Sequence, residues 1–502
     1  MFYNDNVYFA NTSDTNERQY LLLRMANRHG LIAGATGTGK TTTLKVLAES
    51  FSSAGVPVFT ADIKGDLTAT CTPGEDNENM QERIKRFNLE ETGFHYQGFP
   101  LEYWDVFGKF GHPIRATIED MGPILLSNIL DLSDAQEGVL NIAFQYAKDN
   151  NLSLYDLNDL KATLNYLGDS SKELLTVYGN ITKQSVGSIV RKVIELENMG
   201  ASDFFGQPEL DINDWLKISN GKGVINLLEC SELFQKPKLY SAFMLWMLSS
   251  LYDTLPEVGD LDKPKIVFFF DEAHLLFEDA PKTLMDKILQ TVRLIRSKGV
   301  GVYFVSQSPT DLPSDVLAQL GNRIQHALRA YTPNDLKNLK LTCDTFRTNP
   351  KFKTDEVITE LKTGEALISV LDENGVPGIV ERVCILPPES HFGSLDPIAL
   401  NQMIKSSLYD SKYAVSQNNR SAFEDITTMV ENKKAEEEYE KKRLQMEKEL
   451  AKQEAKLQKE KEKAEEKRKK ELEKALTSAG RNILNTTVRT LTRNLLNKAK
   501  KR

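Results

Sequence analysis

Short apolar runs alternate along this chain with longer stretches in which apolar positions recur every third or fourth residue. That alternation predicts buried strands joined by helices. Residues 1 to about 28 are polar, with one apolar patch from Tyr20 to Leu23 that predicts an edge strand leading inward. Gly30-Leu31-Ile32-Ala33 reads as the first buried strand, and Leu44, Leu47, Ala48 and Phe51 then fall at helical spacing within Thr42 to Phe51. Val56 to Asp62 (VPVFTAD) and Phe99 to Phe107 (FPLEYWDVF) predict two further strands. The stretch Thr70 to Asn88 between them is acidic and irregular.

From residue 113 to about 220 the pattern turns helical, through Ile124, Leu125, Ile129, Leu132, Val139, Leu140, Ile142 and Phe144. Strand character returns at Gly223 to Leu228. A helix follows at Lys238 to Tyr252, apolar almost all round and therefore expected to be fully buried. Ile266 to Phe270 predicts a central parallel strand, since its apolar run leaves no solvent face. A helix from about Pro281 to Ser297 ends in basic residues, Arg293, Arg296 and Lys298, as a helix dipole favours. Val300 to Val305, Asn322 to Leu328, Gly364 to Val370 and Ile379 to Ile385 complete the strands. The whole specifies an α/β fold: a doubly wound, mainly parallel sheet with helices on both faces and an α-helical insertion. We divide it into a first core part at 1–112, the insertion at 113–220, a second core part at 221–400, a linker at 401–430 and a tail.

Chemistry concentrates where strands end. Gly34-Ala35-Thr36-Gly37-Thr38-Gly39-Lys40-Thr41, followed by Thr42, stands between strand and helix and matches the phosphate-binding pattern GxxxxGK[ST]. Its glycines let consecutive N–H groups turn toward phosphate oxygens, and the helix adds its positive end. Lys40 is expected to reach the β/γ-phosphates and the Thr41 hydroxyl to ligate Mg²⁺. Downstream, the strand Ile266–Phe270 ends in Asp271-Glu272, suited to hold the Mg²⁺ water shell and to deprotonate an attacking water, respectively. Gln307, at the tip of the strand starting at Val300, is placed either to sense the γ-phosphate or simply to begin a loop. His274 either relays nucleotide state or caps a helix, and Asp62-Ile63-Lys64-Gly65-Asp66 either faces a ligand or caps its own loop.

Composition narrows the class. The first residues, Met1 to Asp5, have neither basic nor apolar signal character, and no run is long enough to span a membrane. Four cysteines stand far apart without a CxxC pair, and six histidines form no HxxxH. These predict reduced thiols in a cytoplasmic setting and no zinc site. The net charge of −8 conceals two unlike parts. From Glu431 onward there are 23 Lys+Arg and 14 Asp+Glu, a net of +9, which leaves −17 for the rest. An acidic body argues against nucleic acid spread over its outer surface, but not against a basic strip inside a ring.

The motifs GATGTGKT (34–41), FFFDEAH (268–274) and VYFVSQSP (302–309) resemble those of the HerA/FtsK branch of RecA-like P-loop ATPases. The longer phrases MANRHGLIAGATGTGKT (25–41), ADIKGDL (61–67), IRSKGVGVYFVSQSP (295–309) and LGNRIQHALRA (320–330) bring it close to bacterial HerA-like helicase-domain proteins. The likeness covers roughly residues 10 to 400. It implies a homo-hexameric ring with ATP at subunit interfaces and a DNA-translocating or helicase activity. It also implies phosphate and metal binding by Lys40 and Thr41, metal binding by Asp271, a base in Glu272, a sensor in Gln307, and an arginine supplied by the neighbour. Arg296 is the first candidate for that arginine and Arg323 the second. Arg191, in the insertion, either faces a neighbour or sits on a solvated helix. One departure stands out: HerA itself carries a β-barrel ahead of its ATPase core, and with 33 residues before Gly34 such a barrel is not expected here. A motor acting on a protein partner is the alternative to one acting on DNA.

The tail has its own pattern. Residues 431 to 476 are dominated by Glu and Lys, with i,i+4 pairs such as Glu438/Lys442 and Glu466/Lys470, and predict a charged helix or weak coiled coil. Residues 477 to 502 carry seven basic and no acidic side chains, with Leu484, Val488, Leu491 and Leu495 as a stripe. Such an end suits a protein partner, an anionic surface or nucleic acid, or serves only to solubilise.

Overall fold

A computed structural model describes residues 1–259, 261–277 and 282–498, so Pro281 and the last four residues lie outside the described residues. The chain divides into two units, Met1–Ile426 and Thr427–Arg502.

The larger unit is built, among the described residues, on a 13-stranded sheet. Its strands begin with β1 (Phe2–Tyr3), β2 (Asn6–Thr12), β3 (Arg18–Leu21), β4 (Gly30–Ala33), β5 (Val58–Asp62), β6 (Leu101–Asp105) and β7 (His112–Pro113). A separate hairpin, β8 (Ile218–Ser219) and β9 (Lys222–Gly223), comes next in the chain. The sheet resumes with β10 (Ile225–Glu229), β11 (Ile266–Phe270), β12 (Val300–Ser306), β13 (Asn322–Gln325), β14 (Glu365–Ser369) and β15 (Glu381–Ile385). In space the order is β1-β2-β15-β14-β13-β4-β12-β11-β5-β10-β6-β7, with β3 paired to β2. Every pairing from β13 to β7 is parallel, and those from β13 back to β1 are antiparallel. The carboxyl ends of the parallel strands therefore meet along one edge, where open α/β sheets bind ligands.

Two stretches differ from the sequence pattern. Asn6–Thr12 lies within the sheet, where the pattern allowed only an edge strand at Tyr20–Leu23. It is buried despite Asn11 and Thr12 because their polar atoms are bonded locally: Asn11 Nδ2 donates to Asn16 Oδ1 at 2.9 Å, and Thr12 Oγ1 accepts from Glu17 N at 2.8 Å. The acidic stretch after Thr70 holds a helix of Glu78–Arg86, capped by the Asn77 side chain, which accepts from Met80 N at 3.0 Å.

The helix following β4 is α1 (Lys40–Ser53), and the helix just described is α2 (Glu78–Arg86). Between β7 and β8 lie α3 (Ile118–Ile129), α4 (Asp134–Asp149), α5 (Leu157–Asp169), α6 (Ser171–Tyr178), α7 (Lys183–Asn198) and α8 (Ala201–Phe204). Gly122, with φ of 69°, and Pro123 break α3 into two arms. In the second half α9 (Pro237–Thr254) is buried on nearly every side from Leu239 to Ser249, so its apolar wrapping has no solvent face to offer. α10 (Lys282–Ile295) leads to β12. The stretch 401–430 holds the end of one helix (Pro397–Ser406), a second (Leu408–Tyr413) and the start of a third. It is anchored rather than free, because Tyr409 and Tyr413 pack tilted and edge-on against Trp104 with centroids 5.2 and 5.7 Å away.

In the smaller unit the chain is helical from Thr427 through Lys498, part of one helix that starts at Ala422 and shows no break between 476 and 477. Its side chains are exposed almost throughout, as the Glu/Lys composition requires. No helix among the described residues is long and apolar enough to cross a membrane, and the four cysteines are free thiols.

Candidate nucleotide site

The glycine loop joins β4 to α1 at the carboxyl edge of the sheet. Gly34 turns with φ of 156°, and a Cβ there would meet His326 Cβ at 2.5 Å. Gly39, the residue before α1, has φ of 114°. The loop hangs from three neighbours: Gly34 N donates to Ser306 O (3.2 Å), Ala35 N to Ala327 O (2.9 Å), and Thr38 O accepts from Gly364 N (3.0 Å). Thr38 Oγ1 also donates to Ala35 O at 2.7 Å, closing the loop on itself. Among the described residues, the N–H groups of Thr36, Gly37, Thr38, Gly39, Lys40, Thr41 and Thr42 donate to no protein acceptor. A row of N–H groups without a protein acceptor at a helix N-terminus is a cradle for an anion. Lys40 Nζ lies inside the curve, donating to Gly34 O (2.6 Å) and Ala35 O (3.2 Å). Burial pushes its pKa down, and the charges of Glu272 and then Asp271 pull it back up, so ammonium and carboxylates share one electrostatic neighbourhood.

Two imidazoles hold the ends of β4. His29, just before it, donates from Nε2 to Val292 O (2.9 Å) and accepts at Nδ1 from Val302 N (3.0 Å). His326, just past β13, donates from Nδ1 to Glu365 O (2.9 Å) and meets Thr43 Oγ1 of α1 at 2.8 Å through Nε2. Both are neutral, and burial lowers both pKa values to about 4. Neither role was readable in the sequence, where each is a lone histidine without a motif.

Strand β12 separates β4 from β11, so the loop and Asp271 face each other across one strand tip. Asp271 is raised to about pKa 6, first by burial and then by Glu272 beside it, while its Oδ1 accepts from Glu272 N at 2.9 Å. Glu272 has φ of 45°, a left-handed conformation that costs a non-glycine residue about 1–2 kcal/mol. Its Oε2 is buried without a hydrogen-bond partner, 3.5 Å from the equally unbonded Nδ1 of His274. Strain and an unpaired buried carboxylate oxygen together are what functional sites retain. The acidic tips continue in register on the other side of β5: Glu229 pairs with Asp62 on one side and Asp105 on the other. Lys64 is exposed just past β5, and its charge acts on both Lys40 and Asp271.

Gln307, after the tip of β12, is exposed and lines an open cleft of about 1010 Å³ together with Ala35, Thr36 and His274. The candidate arginines are not brought to the loop of their own chain. Arg296 sits in the turn before Val300, at the opposite end of β12. Arg323 lies opposite Leu31, part-way back along β4, and its guanidinium donates to Leu320 O (3.3 Å) and Leu317 O (3.2 Å). Arg191, in α7, bonds Ser188 Oγ on an exposed helix face.

A glycine loop between strand and helix, with an acid-tipped strand one place removed in a parallel sheet, defines a P-loop NTPase with a RecA-like core. Within that class the chain belongs to the helicase HerA-like C-terminal family, whose model matches residues 8–502. It is 23% identical over 357 residues to the DNA double-strand break repair helicase HerA of Sulfolobus acidocaldarius, covering 69% of this chain and 63% of that one. It is 24% identical over 394 residues to the protein of the same name from Sulfurisphaera tokodaii, covering 76% and 69%. The chain thus spans about two thirds of the length of these relatives. Among solved structures it is similar to VirB4 of Thermoanaerobacter pseudethanolicus (14% identity, TM-score 0.49, 76% of this chain and 96% of that one). It is also similar to the plasmid coupling protein TrwB with ADP and Mg²⁺ (15%, TM-score 0.45, 74% and 88%).

Proposed function

We propose that this chain hydrolyses ATP as one subunit of a homo-hexameric ring and uses the energy to move along or unwind DNA. The observation that carries the reading is the row of unpaired N–H groups from Thr36 to Thr42 facing Asp271 and the strained Glu272 across β12. Backbone N–H groups and Lys40 suit the phosphates. A hydroxyl and a carboxylate, Thr41 and Asp271, are the oxygen donors a hard divalent cation takes. Mg²⁺ held by these two residues would supply positive charge to the transferring phosphoryl group. Glu272, with its oxygen unpaired, takes a proton from the attacking water. Gln307, at the tip between the two machinery strands, orients that water or the γ-phosphate.

The remaining charge-stabilising group comes from a neighbour, because Arg296 lies at the opposite end of β12 from its own loop. DNA as the track draws support from the family and from two relatives named as DNA repair helicases. Steady-state ATP turnover with and without single- and double-stranded DNA tests it. Stimulation that falls steeply with added salt is expected. Turnover indifferent to DNA at low salt refutes the DNA track and turns the reading to a motor acting on a protein.

A further inference from the structure

We infer that Tyr240 is a positioning residue for the hydrolysis: its hydroxyl donates to the Glu272 carboxylate and sets that group toward the attacking water. The inference rests on the reading of Glu272 as the base and adds the group that holds the base in place.

Topology brings this phenol to the ligand edge of the sheet. β10 and β11 both run parallel to β5, so they end at the same edge. From the tip of β10 the chain passes through the turn Leu233–Gln235 into α9, and Tyr240 lies in the first turn of that helix. α9 in turn packs against the turn Ala273–Leu276, which follows Glu272 directly. The ring is held firmly, since Tyr240 is 0% exposed and packs on Phe234 with centroids 5.0 Å apart. Burial, followed by the charges of Cys230, Asp271 and Glu272, pushes its pKa well above the ordinary phenol value. The hydroxyl therefore keeps its proton and remains a donor within the field of both carboxylates.

Two unpaired groups complement each other here. Among the described residues, Tyr240 Oη is buried without a hydrogen-bond partner, and so is Glu272 Oε2. One is a donor lacking an acceptor, the other an acceptor lacking a donor. A desolvated hydroxyl left unpaired costs stability, and phenylalanine would fill the same space without that cost. A tyrosine at this place points to a step in which the hydroxyl is used. His274 Nδ1, 3.5 Å from the same carboxylate oxygen, is the competing partner. The two differ in what removing the phenol hydroxyl would do.

Steady-state ATP turnover and thermal midpoints of the full chain separate them. Tyr240→Phe should lower kcat roughly tenfold to a hundredfold, with KM for ATP within about twofold of wild type, because the phosphates are held elsewhere. Its thermal midpoint should equal or exceed that of the wild type, since no hydrogen bond is lost. In a Glu272→Gln background the same substitution should leave the residual rate unchanged, there being no base left to set. The inference is overturned if Tyr240→Phe keeps the wild-type kcat, as it would with His274 as the partner. It is equally overturned if the two losses multiply in the double variant, or if the fall in kcat comes with a fall in thermal midpoint. A wild-type chain that hydrolyses no ATP would overturn the reading of the base itself, an outcome distinct from an active wild type matched by Tyr240→Phe.

Discussion

Mild acid should loosen this protein through the two neutral imidazoles that bracket β4. In the folded chain His29 and His326 have pKa values lowered to about 4 from 6.5, chiefly by burial. His29 shows why: its Nε2 already donates to Val292 O, and its Nδ1 must stay bare to accept Val302 N–H. A proton on Nδ1 would set two donors against each other. Between the two pKa values the unfolded chain binds more protons than the folded one, so stability falls as pH drops from about 6.5 toward 4. At pH 5 the loss is about 2 kcal/mol for each imidazole. Asp62 works in the opposite sense, since burial raises it to about 7 and the folded form takes up its proton first. The total slope is therefore a sum, and a variant must isolate one member. Denaturant midpoints at pH 7 and pH 5, followed by fluorescence of the buried Trp104, Trp215 and Trp246, supply the comparison. His29→Gln should be less stable at pH 7 but lose about 2 kcal/mol less than wild type on acidification. Equal losses in the two proteins would refute the assignment of a neutral, doubly bonded imidazole.

Two further outcomes test the site. Glu272→Gln should keep ATP affinity within a few-fold while turnover drops by roughly 10²–10⁴, and undiminished turnover would remove Glu272 from the role of base. Arg296→Ala should cut turnover about 10³-fold or more in the assembled protein. Arg323→Ala should instead lower the thermal midpoint, because its guanidinium satisfies the carbonyls of Leu317 and Leu320; a rate loss without destabilisation would exchange the two roles.

Where the pattern of side chains is itself the physics, the sequence was legible. The apolar run Ile266–Phe270 could only be a strand buried on both faces, and GATGTGKT carries in its glycines the backbone shape it adopts. Asp62 was readable as a strand tip, but not as one of three acidic tips in register, because register is a property of pairing partners far apart in the chain. Asn6–Thr12 was not legible as a sheet strand: Asn11 and Thr12 look like loop residues until Asn16 and Glu17 supply their partners. His326 was missed for the same reason, since its partners, Thr43 and Glu365, lie at distant points in sequence. The segment 389–391 carried no signal at all, because it is unremarkable until Lys45 is seen to donate to His391 O and Glu49 to accept from Glu389 N.

Strand β12 has a consequence for how this site can change. Neighbouring strands stand about 4.8 Å apart, so one interposed strand sets roughly 10 Å between the end of β4 and the end of β11. That aperture is a product of backbone hydrogen bonding and owes nothing to side-chain size. The strand cannot slide to adjust it either, since its residues are paired one to one with both β11 and β4 and all its side chains are buried. Substitution can recolour the rim of the opening with other donors and acids, but its width belongs to the sheet.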